Sequence, residues 1–489
     1  MPVMNRRALL SAAIAAAATP AVFGVKSALA SERPARTAAE IAAAKDVTRI
    51  LARYIVNASY AQLPADVRKQ GVRTLHNWVG VAIGGSRLEA VNIAASALAP
   101  YTGAPQASLL GRKERLDIMN AAFVNGVASH VLDYDDTHLK TIIHASSAIV
   151  PALLAYAELK PVSGQEFLNA LVLGVETACR IGNAVYPDHY DMGWHITGTA
   201  GVFGAAASVG KLMKLNEQQM IWALGLAASQ PVGLRESFGS MNKPFNPGRT
   251  ASNGLFAAIL ASNNFTSSNV MIESERGWAH AMSTKRDFAE ITQGLGQRYE
   301  AVLNSYKPFP CGIVLHPVLD AAIQLQRANK IDSEQVESVA LRVHPHVLEL
   351  TGKTAPVDGL ESKFSVYHAV AAAIIEGGGG LRQFSDRAVR DPKIIALRQR
   401  VKPVVDSKLA ADQCDMTIKM KDGRSLNKFI QHAVGSVEVP MSDKDLDVKF
   451  LDVTDGVLPK AQVQAVIDKC WKVETLASAA EIATASRAV

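Results

Sequence analysis

The chain has 489 residues, a hydrophobic content of 48% and a mean hydropathy of +0.09, so it can bury a substantial core and is not a disordered polymer. Its formal charge is +6, but Arg6, Arg7 and Lys26 lie in the first thirty residues, which contain no acid; the remaining +3 is too small and too dispersed to indicate nucleic-acid binding. The four cysteines lie far apart without a C-x-x-C pair, which argues against a disulfide framework or a zinc knuckle.

The N-terminus has the pattern of an export signal. Arg6 and Arg7 precede an Ala-rich apolar run that extends to about Val25, and Ser27-Ala28-Leu29-Ala30 supplies the small residues that a signal peptidase requires. The alternative is an amphipathic tail or a membrane anchor, but Thr19-Pro20 interrupts the run, which falls short of the ~20 apolar residues that span a bilayer. We therefore predict a twin-arginine signal over residues 1–30, cleaved after about Ala30, and a periplasmic mature protein with no membrane segment.

From residue 38 to 305 the pattern is helical almost throughout, because apolar residues recur at spacings of three and four. One helix is expected from Val47 to near Asn57, and another from Pro64 to the break at Gly84-Gly85. Further helices are expected over 89–99, 116–132, 148–159, 164–182, 199–212 and 218–229. This part of the chain is predicted to be an all-α domain.

The helical spacing of apolar residues ends after Lys307. Period-two alternation over 338–345 and 414–430 predicts strands, and Asp422-Gly423 between two alternating runs indicates a hairpin. A smaller α+β domain is therefore predicted over 306–440, whereas residues 441–476 return to a helical pattern and complete the first domain. The predicted fold is mostly α, with a large helical domain and a smaller α+β lid.

Chemistry-capable side chains concentrate over residues 130–144. His130, Asp133 and Thr137 are three and four residues apart and would share one helix face, while His138 and His144 lie in the loop beyond. The alternative interpretation is that Asp135 and Asp136 cap the next helix and that the histidines are ordinary loop residues.

Three further stretches carry polar groups among apolar neighbours. His195, Thr197 and Thr199 precede an Ala/Gly-rich helix, whose N-terminus favours an anion. Lys243 and Arg249 lie in a Pro/Gly-rich stretch, predicted to be a loop before a helix from Ala251, and either cation could bind a carboxylate. The third stretch is the junction of the two predicted domains, which Lys307 and His316 bracket and where ligands tend to bind.

Several motifs are absent from the sequence: G-x-G-x-x-G on a strand–helix unit, a Walker loop, G-x-S-x-G and H-E-x-x-H. These absences argue against a phosphate-containing cofactor and against catalysis by a nucleophilic serine. His138, His144, His189 and His195 could gather a metal with Asp133 or Asp136, but no pair has the regular spacing of a zinc site, and we predict neither a metal nor a cofactor.

Taken together, these stretches resemble the MmgE/PrpD family, which includes 2-methylcitrate dehydratases, cis-aconitate decarboxylases and an iminodisuccinate epimerase. The resemblance covers about residues 45–470, in the family's order. It is carried by 130–137, 193–198, 243–248, 307–311 with His316-Pro317, 363–367, and 435–440 with Lys449. It implies a homodimer and an active site between the two domains without an obligatory metal.

Carried over by position, the resemblance implies that Asp133, Thr137, His144, His195, Lys243 and Lys307 line that site. The chain departs from the family at two positions: members commonly have His where this chain has Asn246, and the decarboxylases have His where it has Gly312. The segment between Thr137 and His144 is also one residue longer than usual.

The predicted function is that of a lyase acting on a small di- or tricarboxylate, in the manner of a 2-methylcitrate dehydratase. Such a site must neutralise the enediolate-like charge that develops when a proton leaves carbon beside a carboxylate. The candidate catalytic residues are Asp133 and His144 as alternative bases, His195 as the acid, and Lys243. The candidate substrate-binding residues are Thr137, Asp136, His138, Thr197, Arg249, Lys307 and His316. Two alternatives stay open: an epimerase, isomerase or decarboxylase of a related acid, and an exported protein that binds carboxylates without turning them over.

Overall fold

The computed structural model describes residues 42–488, so the predicted export signal lies outside the described part of the chain. The molecule is 58% helix and 9% strand, which confirms the predicted mostly-α class. Within residues 42–488, no helix has both the length and the apolar character needed to cross a bilayer.

The first part of the chain is built from helices joined by short strands. Its helices are α1 (Val47–Asn57), α2 (Ala65–Gly85), α3 (Glu89–Leu98), α4 (Ile118–His130), α5 (Ala145–Leu159), α6 (Gly164–Val185), α7 (Asp188–Asp191), α8 (Ile196–Leu212), α9 (Glu217–Ala228), α10 (Asn242–Ser262), α11 (Trp278–Met282) and α12 (Ala289–Thr292). Its strands are β1 (Ala107–Ser108), β2 (Arg115–Leu116), β3 (Asp136–His138) and β4 (Asn304–Tyr306).

The second part mixes helices with a four-stranded sheet. It comprises α13 (His316–Asn329), β5 (Val336–Val343), α14 (Pro345–Thr351), α15 (Gly359–Ser362), α16 (Val366–Glu376), α17 (Asp386–Val389), α18 (Pro392–Arg398), β6 (Val401–Val405), β7 (Cys414–Met420) and β8 (Ser425–Ile430). The chain ends with α19 (Asp443–Thr454), α20 (Lys460–Trp471) and α21 (Ala480–Ala485). The strand order is β6-β5-β7-β8, and the hairpin expected at Asp422-Gly423 joins β7 to β8.

The buried apolar side chains form three main clusters. The largest joins residues between 47 and 301 with residues between 450 and 483, the second takes its buried members from 309 to 433, and the third joins residues between 81 and 258 with Val453. Local signals explain where the long helices start. Ser163 and Glu166, for example, form a capping box at the start of α6, which satisfies backbone N–H groups that the helix itself leaves unpaired.

Three local predictions were wrong. His130, Asp133 and Thr137 do not share a helix face, because α4 ends at His130, Asp133 has a left-handed backbone and Thr137 lies in β3. The stretch around Lys243 is not a loop, because α10 begins at Asn242 and continues through Pro247 and Gly248. Tertiary packing overrides the local propensity here: Gly248 lies so close to Gly126 of α4 that a Cβ on Gly126 would come within 2.5 Å of the Gly248 Cα. The region before residue 305 is also not purely helical, since it contains β1 to β4.

Candidate active site

The pairing of β3 with β4 brings together two polar segments that are far apart in sequence. Asp136 lies opposite Tyr306 and Thr137 opposite Ser305, so Asp133, three residues before β3, comes beside Lys307, which directly follows β4. Between α4 and β3 the chain turns sharply, and Asp133 adopts a left-handed backbone conformation with φ of 51°. Such a conformation is uncommon outside glycine, and around functional sites it is held by its surroundings.

Three buried lysines hold this turn in place. The carbonyls of Leu132, Asp133 and Tyr134 each accept a hydrogen bond from a different lysine, and each lysine also binds one carbonyl of the 307–311 segment. Lys363 bridges Leu132 to Pro310, Lys307 bridges Asp133 to Cys311, and Lys449 bridges Tyr134 to the Lys307 carbonyl, all at 2.6–3.2 Å. We call this arrangement the lysine clasp. It fixes the position of the Asp133 carboxylate.

Five of the predicted site residues line one small cavity beside the clasp. They are Asp133, His144, His195, Lys243 and Lys307, and the remaining lining residues are Ile142, Tyr190, Phe238, Gly312, Ile313, Val314, Leu350, Thr351 and Phe364. The cavity measures about 30 Å³, which accommodates about one water molecule. A six-carbon acid therefore requires the lining to move apart as it binds.

One carboxylate and two ammonium groups form the charged centre of the cavity. Asp133 Oδ1 lies 2.5 Å from the Lys307 Nζ and 3.1 Å from the Lys243 Nζ. Burial alone would raise the pKa of Asp133, but the two ammonium groups outweigh it and hold that pKa well below its usual range. Burial lowers the pKa of Lys243, although Asp133 opposes the shift. Asp133 Oδ2 has no protein partner, which leaves it available to a ligand.

His144 is arranged as a base. Its Nδ1 lies 3.0 Å from the Asp136 carbonyl oxygen and 3.2 Å from Asp135 Oδ1, and both oxygens only accept hydrogen bonds. Nδ1 must therefore carry the proton, and Nε2 keeps its lone pair. Burial lowers the pKa of His144 despite the nearby Asp135 carboxylate, so the imidazole is neutral at physiological pH.

His195 has the opposite arrangement. The Asn246 Nδ2 lies 2.9 Å from its Nδ1 and donates a hydrogen bond to it, so the proton of the neutral ring is on Nε2. Burial, reinforced by the positive charge of Lys243, holds the pKa of His195 well below its usual range. One cavity therefore contains a histidine with a free lone pair and a histidine with a free N–H.

A buried carboxylate behind the cavity orients two imidazoles. Asp135 Oδ2 accepts from His130 Nδ1 at 2.8 Å and from the Ser147 hydroxyl at 2.6 Å, while its Oδ1 lies beside His144. His130 Nε2 in turn accepts from the Lys243 Nζ at 3.0 Å. The imidazoles of His130 and His144 hold the pKa of Asp135 well below its usual range, although burial alone would raise it. Asp135 is thus connected to both the base and the cation of the cavity.

Thr137 and Thr197 support His144 without lining the cavity. The Thr197 hydroxyl accepts from the His144 backbone N–H at 3.1 Å, and the Thr137 hydroxyl lies 3.4 Å from its Nδ1. Both are buried. They position the imidazole, whereas the sequence analysis assigned them to substrate binding.

Four other predicted binding residues lie away from the cavity lining. Asp136 accepts from the Ser146 backbone and hydroxyl and from Asn304, as in the alternative interpretation of a helix cap. His138 extends from β3 to Thr141 and Glu300. Arg249 is exposed on the outer face of α10, because this stretch is helical, and His316 is buried beside a neighbouring cavity. His189, a candidate metal ligand, bonds to the Met282 carbonyl and Thr199.

The apolar part of the lining and the role of Asp135 were not predicted from the sequence. Phe238, Leu350 and Phe364 come from loops and helix ends with no local pattern that marks them, so only the fold could reveal them. Asp135 could have been found, because a carboxylate between His130 and His144 in sequence is a natural partner for both.

Among the described residues, two groups place enough ligand atoms together for a metal ion, namely His130–Asp135–His144 and the more exposed Asp412–His432–Glu438. In the first group both Nδ1 atoms already face Asp135 oxygens at hydrogen-bonding distance. Both Nδ1 atoms are therefore already engaged within the protein, His130 by Asp135 Oδ2 and His144 by the Asp136 carbonyl.

Comparisons with known proteins agree with this architecture. The family models for the MmgE/PrpD N-terminal and C-terminal domains match residues 49–291 and 309–473. The chain is 24% identical over 470 residues to a cis-aconitate decarboxylase of Aspergillus terreus, which covers 90% of this chain and 96% of the relative. It is 25% identical over 461 residues to the cis-aconitate decarboxylase of Homo sapiens, covering 90% and 94%. A 2-methylcitrate dehydratase of Cupriavidus necator is 22% identical over 376 residues, covering 68% and 73%.

Proposed function

Because the chain belongs to the MmgE/PrpD family, we propose that it is a lyase that dehydrates a small di- or tricarboxylate of the 2-methylcitrate type. The main support for this proposal is that one cavity is lined by two neutral histidines with opposite tautomers. A dehydratase needs a base for a carbon-bound proton and an acid for the departing hydroxyl, and His144 and His195 offer these two groups beside two lysines.

The proposed reaction moves two protons. His144 Nε2 takes the proton from the carbon beside a substrate carboxylate, and the electron pair left behind spreads onto that carboxylate as an enediolate. Lys243 and Lys307 stabilise the negative charge, which is worth most in a cavity that excludes water. The electron pair then forms the carbon–carbon double bond as the C–O bond breaks, and His195 Nε2–H protonates the hydroxyl to release water.

Decarboxylation is the second candidate, and the names of several relatives support it. The relatives that match over about nine tenths of this chain are named cis-aconitate decarboxylases. Loss of CO₂ beside the same cations leaves a similar carbanion, which the His195 N–H would protonate on carbon. We nevertheless prefer dehydration. This chain has Gly312, which carries no imidazole, where the resemblance implies a histidine in the decarboxylases.

Proton NMR of the purified protein in D₂O distinguishes the candidates. The substrate panel is 2-methylcitrate, citrate, cis- and trans-aconitate and malate. An alkene signal that appears from 2-methylcitrate, citrate or malate without release of CO₂ establishes dehydration, while a new alkene signal from aconitate together with released CO₂, trapped and measured separately, establishes decarboxylation. Deuterium incorporation without elimination would replace the proposal by an epimerase, and no change in any acid that binds would replace it by a carboxylate-binding protein.

Histidine variants test the assigned roles. We expect His144→Asn and His195→Asn each to lower kcat by about 10²–10⁴-fold, the usual contribution of a positioned acid or base. His432→Asn, a substitution of a partly exposed histidine away from the cavity, is the matched control and should keep wild-type kcat. Full turnover by His144→Asn would contradict its assignment as the base.

We also propose a periplasmic homodimer as the working form. The twin-arginine pattern at Arg6-Arg7 supports export, and the family resemblance supports the dimer. Replacement of both arginines by lysine should retain the protein in the cytoplasmic fraction, and light scattering of the mature protein should give twice the chain mass. A monomer that remains fully active would contradict the second part.

A further inference from the structure

The lining of the active-site cavity is of two chemical kinds. Its ionisable side chains are those of Asp133, His144, His195, Lys243 and Lys307, whereas most of the other lining side chains are aliphatic or aromatic. A citrate-like acid carries a carboxylate or hydroxyl on every branch, and burying a carboxylate against apolar side chains is costly. The lining therefore matches an acid with one apolar branch.

A second cavity continues from the apolar face. It measures about 450 Å³ and shares Ile142, Ile313 and Val314 with the active-site cavity. Beyond these three residues its apolar lining consists of Leu139, Tyr186, Pro317, Ala411, Ala433, Val434 and Val437. Polar and charged side chains also line it, namely Lys140, His316, His344, His346, Asp412, Ser436 and Glu438, and it is open to solvent. We call it the apolar side cavity.

The partition between the two cavities contains a strained residue. Ile142 has a φ of 59°, in the left-handed region, where a β-branched side chain is a genuine outlier. Such strain persists only where the surroundings impose it, so its neighbours hold the Ile142 backbone at the boundary between the two cavities.

Substrate entry does not require the apolar side cavity, because a third cavity also reaches the active site. This cavity, of about 770 Å³, meets the active site at Phe238 and Leu350 and is lined by Arg235, Glu349 and Lys353. It is open to solvent and charged, which suits the approach of an acid. The apolar side cavity is therefore best explained as the space that part of the bound substrate occupies.

We propose that the substrate carries an alkyl branch of several carbons, which passes between Ile142, Ile313 and Val314 into the apolar side cavity while its carboxylates remain at the lysines. This inference rests on the proposed function and narrows it to alkyl-substituted di- or tricarboxylates. The shared apolar wall supplies the contacts for the first carbons of the branch, and Val434 and Ala433 supply those for the later ones.

The test is the dissociation constant, measured by calorimetry, for 2-methylcitrate and for homologues in which propyl, pentyl or heptyl replaces its methyl group. We expect the affinity to rise by about fourfold per added methylene, since burying each is worth ~0.8 kcal/mol. Val434→Trp fills the apolar side cavity and should abolish this gain while leaving the affinity for 2-methylcitrate unchanged. Ala411→Trp, at an exposed lining position, should do the same without any risk to folding. The matched control is Met192→Trp, an exposed lining position of the third cavity.

Equal affinity along the series, or no binding by any member, would overturn the inference. So would an equal loss of 2-methylcitrate and heptyl-homologue affinity in Ala411→Trp, which would make the apolar side cavity an entry route. Turnover of each acid is measured separately from its binding. Tighter binding of long homologues without turnover would leave this inference standing and remove the proposed function, whereas turnover of 2-methylcitrate with no chain-length effect would do the reverse.

Discussion

Asn246 donates a hydrogen bond from its side-chain amide to Nδ1 of His195 across 2.9 Å, and this contact determines which nitrogen of the imidazole carries the proton. Asn246 is itself held by the Ser237 hydroxyl at 3.2 Å. The resemblance places a histidine at position 246 in most of the family. This chain therefore uses an amide, which cannot titrate, to keep His195 neutral and ready to donate from Nε2.

The first prediction reverses this tautomer. In Asn246→Asp the carboxylate would accept from Nδ1, so the neutral His195 ring would lose its proton at Nε2 and could not act as an acid. We expect kcat to fall by about 10²-fold at neutral pH. The carboxylate would also raise the pKa of His195, so activity should recover partly as the pH falls and the imidazolium forms. The measurement is the pH profile of kcat. Asn246→Leu is the control, which removes the donor without adding charge and should show no recovery at low pH.

The second prediction concerns Asp135, which does not line the cavity. Asp135→Asn weakens the hydrogen bond to His130 Nδ1 and removes the negative charge 3.2 Å from His144 Nδ1, which favours an N–H on that side of each ring. Loss of the correct tautomer should lower kcat by about 10²–10⁴-fold, while KM changes little because no substrate contact is lost. Ser147→Ala, which removes one neutral donor to the same carboxylate, should retain most of the activity. A large rise in KM with unchanged kcat would contradict a positioning role.

The third prediction addresses the lysine clasp. Lys363→Met leaves the carbonyls of Leu132 and Pro310 buried without a donor, at a cost of about 1–3 kcal/mol each, and it should also lower kcat because Asp133 loses its support. Urea unfolding and steady-state kinetics measure the two effects. Lys285 provides the matched control, since it also binds two carbonyls, those of Asn183 and Tyr186, but far from the clasp. Lys285→Met should lose stability and keep its kcat; equal kcat losses in both variants would contradict a specific role for the clasp.

Local sequence signals were sufficient for most of the helices and for the β7–β8 hairpin, because capping residues and apolar spacing act within a few residues. The same signals failed at α10, where contact between Gly248 and Gly126 makes a helix of a Pro/Gly-rich stretch. They also failed for the side chains of His138 and Asp136, whose partners Glu300 and Asn304 are more than 160 residues away. The resemblance identified the five charged or polar lining residues, but the apolar lining depends on packing between distant segments.

The last prediction concerns stability at acid pH. Burial lowers the pKa of both His130 and His189 to about 4, whereas an unfolded histidine titrates near 6.5. Below that value the unfolded chain binds protons that the folded chain excludes, so the free energy of unfolding should be highest above pH 6.5 and fall as the pH approaches 4. Each histidine should contribute about 2–3 kcal/mol to this loss. Asp136 and Glu176, whose pKa values burial raises to about 6 and about 7, act in the opposite direction and reduce the net slope.

His189 isolates this effect because it lies outside the active-site cavity, bonded to Met282 and Thr199. His189→Asn should be less stable than the wild type at pH 8, since it loses buried hydrogen bonds, but its free energy of unfolding should fall less between pH 6.5 and 4.5. Urea unfolding of both proteins across this range measures the difference. An unchanged slope in His189→Asn would show that the proton uptake on unfolding comes from other groups.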